Sequence, residues 1–400
     1  MVYKLLKKMK RIIFFAAIIL LAAEGQAQRR YDDILRKVES GSPVLQAARQ
    51  KCEASQLESH VGLLLPDPEV EVALFRGDPA EQGTRWDLRV TQSFEMPSVY
   101  VRRARLRDLR EHAAELDYET LRNAMLHEAQ LICAELVYAR GVGRVYGEFT
   151  VTAQKLSRLY EKRMKEGDCS ILDYNRVKME MAEAENLATQ ADLRAGHLQR
   201  ELCALMGVDF YDFFIEDYDT VILPLVFDEW YDTVEMRNPQ LRTLQNTLDA
   251  SQQELQLSRS LWLPSMSVGY ASETVTGAAF RGVTLGMRLP VWSQPRSVKQ
   301  AKVSHTASRK DFEATRGNTY NETQCLMHHL LALQNNLKNM RMAFAAYNSR
   351  DLLDQALEAG EITLEQYLQQ VNYYLQQEIA IWDIAYELEK GCIDLYAITL

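Results

Sequence analysis

The sequence predicts a mainly α-helical chain with a membrane β-barrel part, its plan written twice. Three observations carry this. Apolar residues at helical spacing, stopped by glycines, fill most of the 400 residues. Four short segments instead alternate apolar and polar residues, the pattern of a strand with two unlike faces. The order of these elements recurs at an offset of 193 residues.

The N-terminus reads as an export signal. A basic stretch, MVYKLLKKMKR, precedes the apolar run IIFFAAIILLAA at residues 12–23. Small residues in GQA (Gly25–Ala27) then place a cleavage site after Ala27. About 12 apolar residues fall short of the roughly 20 needed to span a bilayer. Residues 1–27 are therefore expected to be removed, taking five Lys/Arg and one Glu with them and leaving a net charge of −13. That acidity argues against nucleic acid as a partner. The first cysteine is Cys52, so none stands at the cleavage point to carry lipid. The six cysteines show no CxxC spacing, and Cys133 and Cys325 read as small packing residues on helices.

Repeat 1 is expected over 28–215 and repeat 2 over 216–400. Ser42-Pro43 and Asn238-Pro239 each set an N-cap residue before proline at the first helical position. The helices they start stop at Pro66 and Pro264. Two strands follow each, expected near 69–76 and 85–94, then 266–275 and 281–290. A second proline, Pro97 or Pro290, opens a very long helical pattern that runs 70 residues to Gly167 or Gly360. Each glycine suits the left-handed residue that ends a helix. Capping boxes, Ser170-x-x-Asp173 and Thr363-x-x-Gln366, then start the return helices. Residues 98–166 as helix would span roughly 100 Å, the return helix at 171–206 roughly 54 Å and the helix at 43–63 roughly 32 Å. Two short helices end to end nearly match one long one, with segments 31–39 and 208–236 as a belt at the join. These lengths predict a rod.

In the strands, Val70, Val72, Leu74, Trp86, Leu88, Val268, Tyr270, Leu285 and Met287 alternate with Glu69, Glu71, Asp87, Arg89, Glu273 and Arg288 and with small residues. This pattern suits apolar side chains facing lipid and polar ones facing a lumen. It also suits a half-buried soluble sheet; export and the strands' common end of the rod favour the membrane. Four strands cannot close a barrel, and open edges are not tolerated in a bilayer. Three copies would supply twelve strands.

Other signals are weaker. His328-His329 are adjacent on a helix and point about 100° apart, a poor chelating pair. Met179/Met181 and Met340/Met342 read as packing, and RRARLRDLR (102–110) as a solvated helix face with Leu106 and Leu109 beneath. No phosphate loop, nucleophile elbow or HExxH is present, so no enzyme, cofactor or metal is expected.

Two repeats of this plan, with the phrases PDPEVEVAL, FEMPSVYVRRAR, EGDCSILDY and AGEITLEQY, resemble the TolC-like outer-membrane efflux channels. The resemblance is greatest to the branch serving heavy-metal and multidrug RND pumps. It implies a homotrimer in outer-membrane lipid, with a 12-stranded β-barrel and a periplasmic α-barrel. It also implies a periplasmic adaptor (membrane fusion) protein and an inner-membrane RND-type pump as partners. In that family the hairpin tips close the tube at rest and dock the adaptor. By that resemblance, Gly167, Asp168, Asp173, Gly360, Glu361, Glu365, Gln366 and Gln369 would form the tip. The second tip is less acidic than family members often are, because Gln366 stands where Asp173 stands in the first. A type I secretion duct shares the fold and differs in partner. A soluble periplasmic coiled-coil adaptor would leave the four strands unexplained.

Overall fold

The computed structural model describes residues 31–60, 65–76, 83–218, 221–275, 278–290 and 294–399. The expected signal segment lies outside them. In chain order the elements are α1 (Asp32–Gly41), α2 (Pro43–His60), β1 (Glu69–Arg76), β2 (Thr84–Phe94), α3 (Pro97–Glu166) and α4 (Ile171–Met206). Then come α5 (Phe227–Glu235), α6 (Pro239–Ser260), β3 (Ser265–Val275), β4 (Ala278–Arg288), α7 (Gln294–Tyr347), α8 (Arg350–Glu358) and α9 (Leu364–Tyr396). The expected α-helical class with four strands is what is observed.

The chain divides into two compact units. One contains Leu121–Arg237 and Tyr320–Leu400 with the chain up to Gln46; the other contains Ala47–Thr120 and Asn238–Thr319. The long helices α3 and α7 contribute to both.

The first unit is helical and holds three apolar clusters. In one, Ile34, Leu35 and Val38 of α1 pack with Leu126, Leu136 and Val137 of α3 and Leu198, Leu202 and Met206 of α4. Tyr31, fully buried, donates its hydroxyl to Glu389 at 3.1 Å, which ties the start of α1 to α9. In a second, Trp230, Tyr231 and Val234 of α5 pack with Met327 and Leu330 of α7 and Leu388 and Cys392 of α9. The third lies at the hairpin tips and is described below.

The second unit is built on one antiparallel sheet, ordered β1-β2-β3-β4. Around it Asn246 donates to the Leu109 carbonyl at 3.0 Å, and Arg103 pairs with Glu95 at 2.7 Å. The run 102–110 is therefore more tied down than a solvated face: Arg103 and Arg107 are half-buried in ion pairs above a buried Leu106.

Several expectations need correction. The long helix of the second repeat is not continuous; it breaks at Asn348-Ser349 between α7 and α8. Both residues bond readily to nearby backbone, which competes with helix. β4 runs 278–288 rather than 281–290, because pairing with β3 begins at Val275↔Ala278. Ser42 does not cap α2; its hydroxyl meets the Met125 sulfur at 4.0 Å in a fully buried position. Asn238 does cap α6, accepting from the N–H groups of Gln240 (2.9 Å) and Leu241 (3.3 Å).

None of the six cysteines is paired. Burial pushes the Cys133 thiol well up, as it does for Cys392 with help from Glu389, so both are inert packing groups. Cys325, expected to pack, is exposed. Of the methionines, Met181 packs at the tip cluster, whereas Met179 and Met342 are exposed.

Leu136 is fully buried in the first cluster, whereas Leu225 is fully exposed. Leu136→Ala should cost about 2–5 kcal/mol, and Leu225→Ala no more than about 0.5 kcal/mol. Thermal melting of the helical circular dichroism in detergent measures both.

Candidate functional site

Two regions carry the expected site residues: the faces of the sheet and the tips of the hairpins. In a sheet, residues paired across strands share a face. The register aligns Val70↔Val90↔Tyr270↔Val283 and sets Val72↔Leu88 and Leu74↔Trp86 beside them. Val268↔Leu285 and Met266↔Met287 continue the same face. All the residues expected to face lipid thus lie on one side. Val283 (74%) and Leu285 (81%) are among the most exposed apolar side chains of the chain.

The other side carries the expected lumen residues. Glu71↔Arg89, Asp87↔Glu273 and Ser265↔Arg288 are register partners. Arg85, which sequence reasoning missed, organises part of this face. Its guanidinium meets Asp87 at 2.9 Å and Glu273 at 3.1 Å and lies 5.6 Å from the Phe75 ring centroid. Arg89 meets Glu71 at 3.4 Å. The pattern breaks near the turn end: Phe75 and Phe280 join the polar face, and Arg76 and Arg281 the apolar one. Arg281 sits near the start of β4, where a long cationic side chain can reach the edge of an apolar surface.

At the tips the backbone does what the glycines predict. Gly167 has φ 78° and Gly360 φ 74°. After α3, the Gly167 N–H donates to the Met164 carbonyl (3.3 Å) and the Asp168 N–H to that of Arg163 (2.8 Å). After α8, Gly360 and Glu361 donate in the same way to Leu357 (3.2 Å) and Ala356 (2.9 Å). Both are closing motifs that use a left-handed residue. The return helices differ. Thr363 and Gln366 form a full reciprocal box, with Gln366 N–H to Thr363 Oγ1 at 3.2 Å and Thr363 N–H to Gln366 Oε1 at 2.9 Å. Ser170 instead accepts from the Leu172 N–H at 3.1 Å, and no box with Asp173 forms. Asp is one methylene shorter than Glu or Gln and does not reach back.

The two tips pack together. Tyr160 and Val177 of the first hairpin share a cluster with Leu357, Leu364, Tyr367 and Leu368 of the second. Tyr367 donates to Asp354 at 2.7 Å; burial first, then this bond, hold its phenol well above the ordinary range. Asp168, Glu361, Glu365, Gln366 and Gln369 are exposed, and Asp173 is half-buried. Glu365 reaches across to Arg176 of the first hairpin at 3.8 Å. Among the described residues no group of His, Cys, Asp or Glu is arranged to hold a metal ion, and no helix is long and apolar enough to cross a membrane.

Thr363→Ala removes the hydroxyl that accepts from the Gln366 N–H and donates to Gln366 Oε1, leaves the backbone bond from the Thr363 N–H, and should cost about 1 kcal/mol, more than Ser170→Ala, whose hydroxyl accepts one such bond. Gly360→Ala meets open space, so its penalty is the positive φ alone, about 1–3 kcal/mol. Amide hydrogen exchange over the first turns of α4 and α9 reads these losses.

The profile describing outer membrane efflux proteins matches residues 230–399. No curated protein sequence matches the chain. Similar solved structures include the Campylobacter jejuni CmeC outer membrane channel, 15% identical with a TM-score of 0.75, covering 92% of this chain and 85% of that one. The outer-membrane channel OprN is 16% identical with a TM-score of 0.79, covering 94% and 91%. The outer membrane protein VceC of Vibrio cholerae is 12% identical with a TM-score of 0.75, covering 94% and 98%. The chain has the fold of the TolC-like outer-membrane channels, and its residues 230–399 carry the sequence signature of the outer membrane efflux protein family.

Proposed function

We propose that the chain is the outer-membrane duct of a tripartite efflux system. It passively conducts substrates that an inner-membrane RND-type pump expels through a periplasmic adaptor. The observation that carries this reading is the sheet. It has one exposed, largely apolar face, and among the described residues β1 and β4 each leave an edge unpaired. Unpaired backbone is not stable in lipid, and closure with other copies removes both edges. Three copies, β4 of each beside β1 of the next, give a barrel of twelve strands. The Glu71, Asp87 and Arg89 side then meets water, and the Val72 and Leu285 side meets acyl chains.

The division into repeats at 28–215 and 216–400, with export directed by residues 1–27, belongs to the same reading. At the periplasmic end, Asp168, Asp173, Glu361 and Glu365 form an acidic rim. It limits the aperture and steers the adaptor.

Mass measurement in detergent tests the assembly: a trimer is expected, and a monodisperse monomer that keeps its strands would overturn it. Charge placement tests the faces. Val72→Arg and Leu285→Arg should each cost about 2–4 kcal/mol near the bilayer midplane, whereas Glu71→Arg and Arg288→Glu should assemble as well as the parent. Equal assembly defects would count against these faces. For the rim, Asp173→Ala with Glu365→Ala in a folded trimer should change planar-bilayer conductance or adaptor affinity. If neither changes, these acids serve only their helix N-termini.

A further inference from the structure

The two helices that leave the sheet begin with the wrong charge for a helix. A helix N-terminus carries a partial positive charge, so acids suit the first turns and cations do not. Helices of the other unit obey: α1 opens with Asp32 and Asp33, α5 with Asp228 and Glu229, and α9 with Glu365. Neither α3 nor α7 has an acid in its first turn. Instead Pro97–Arg110 and Gln294–Lys310 together hold ten Lys/Arg against Asp108 alone, in a chain whose net charge is −9. The neighbouring ends of α2 and α6 offset this by a single charge: residues 51–60 and 251–260 carry Lys51 and Arg259 against Glu53, Glu58 and Glu254.

Part of this charge is neutralised inside the unit. Arg103 pairs with Glu95 at 2.7 Å, Arg107 with Asp108 at 2.6 Å and Arg110 with Glu254 at 3.9 Å, and Arg102 bonds to Gln256. Arg105, Arg296, Lys299 and Lys302 differ. They are exposed, and among the described residues they make no ion pair or side-chain hydrogen bond. On α7 the last three recur every third residue, which sets them along one side of the helix. Packing falls on another side: Ala301 is buried, and His305 meets Ser251 of α6 at 3.1 Å. Arg105 and Lys302, the deepest of the four, lie roughly 12 Å along their helices from the end nearest the strands. The chain next to the strands at this end carries Trp262, Leu263 and Leu289, all well exposed. Tryptophan at the end of an apolar sheet face suits the boundary between acyl chains and headgroups.

We propose that Arg105, Arg296, Lys299 and Lys302 form a basic collar that binds the anionic phospholipid headgroups of the periplasmic leaflet. The occupant is a lipid surface because the free cations adjoin the end of the face suited to acyl chains. They lie within a Debye length, about 8 Å, plus the reach of a long side chain. The collar fixes the depth at which the barrel sits. It rests on the outer-membrane channel reading.

Counting bound lipid by native mass spectrometry tests it. Dioleoyl phosphatidylglycerol or dioleoyl phosphatidylcholine is titrated into the detergent-held protein. The parent should bind phosphatidylglycerol more tightly, and the preference should fall as salt is raised, which tests the collar without any substitution. Arg105→Gln, Lys299→Gln and Lys302→Gln should each weaken phosphatidylglycerol binding about fivefold, whereas Lys299→Arg should not. All three side chains are exposed, so the variants should keep the parent's circular dichroism. Millimolar inorganic phosphate should leave the lipid in place; displacement would mark a simple anion site and overturn the lipid occupant. If the variants shift ion selectivity in planar bilayers and leave lipid binding unchanged, the cations line the lumen and the collar is wrong. Flotation with phosphatidylcholine vesicles separates the two readings. Protein that never associates with vesicles overturns the channel reading and the collar with it. Protein that inserts but binds both lipids equally overturns the collar alone.

Discussion

The backbone of the sheet sets the terms for everything else. Among the described residues, the four strands leave two edges of N–H and C=O groups without strand partners. One face of the sheet is largely apolar, with Val70, Val72, Val283 and Leu285 well exposed on it. In water such a face invites association; in lipid such edges are not tolerated. The proposed pairing, edge to edge with further copies in an apolar medium, answers both. The polar face then has to be compatible with a lumen. Its ion pairs, Arg85 with Asp87 and Glu273 and Arg89 with Glu71, are exposed and side by side. They add little stability in water, but they keep a narrow polar surface from carrying a large uncompensated charge.

The helical unit faces a different constraint. Helices as long as α3 cannot be buried around a single centre, so the apolar contacts divide into clusters along them. Each cluster recruits a different short element: α1 at one, α5 at another, and α8 with the start of α9 at the third. This explains why the short helices are strongly two-faced although the long ones are not. A short helix presents one stripe to one cluster. A long helix changes neighbours along its length and so must present different faces in turn.

Much of this was legible in the sequence because it is local. Period-two alternation assigns every strand residue to a face, and the register then had to agree for all four strands. Gly167 and Gly360 announce the tips because only a left-handed residue ends those helices. What was not legible depends on reach or on partners. Ser170 and Asp173 have the spacing of a capping box, but Asp is too short to close it. Arg85 reads as the start of a strand, and only the pairing of β2 with β3 brings it to Glu273. Ser42 looks like a cap until α1 is seen to end against it, which turns its hydroxyl toward Met125. Asn348-Ser349 sits inside a strong helical pattern, and two polar residues are too weak a signal to stop it on paper. The sequence did hold one clue: repeat 1 has a leucine where repeat 2 has Ser349.

That last difference bears on how a duplicated chain escapes its own symmetry. The two hairpins are packed through Tyr160, Val177, Leu357 and Tyr367, yet of the two outgoing helices α3 alone reaches that shared cluster without a break. The chemistry at the tips follows the same division. The second return helix is fixed to its turn by a complete capping box and by Asp354–Tyr367, so its tip holds together as a piece. The first has the simpler Ser170 cap and no break behind it. The second tip is therefore firm internally and seated on the first hairpin through the buried cluster, and it alone is separated from its outgoing helix by a break.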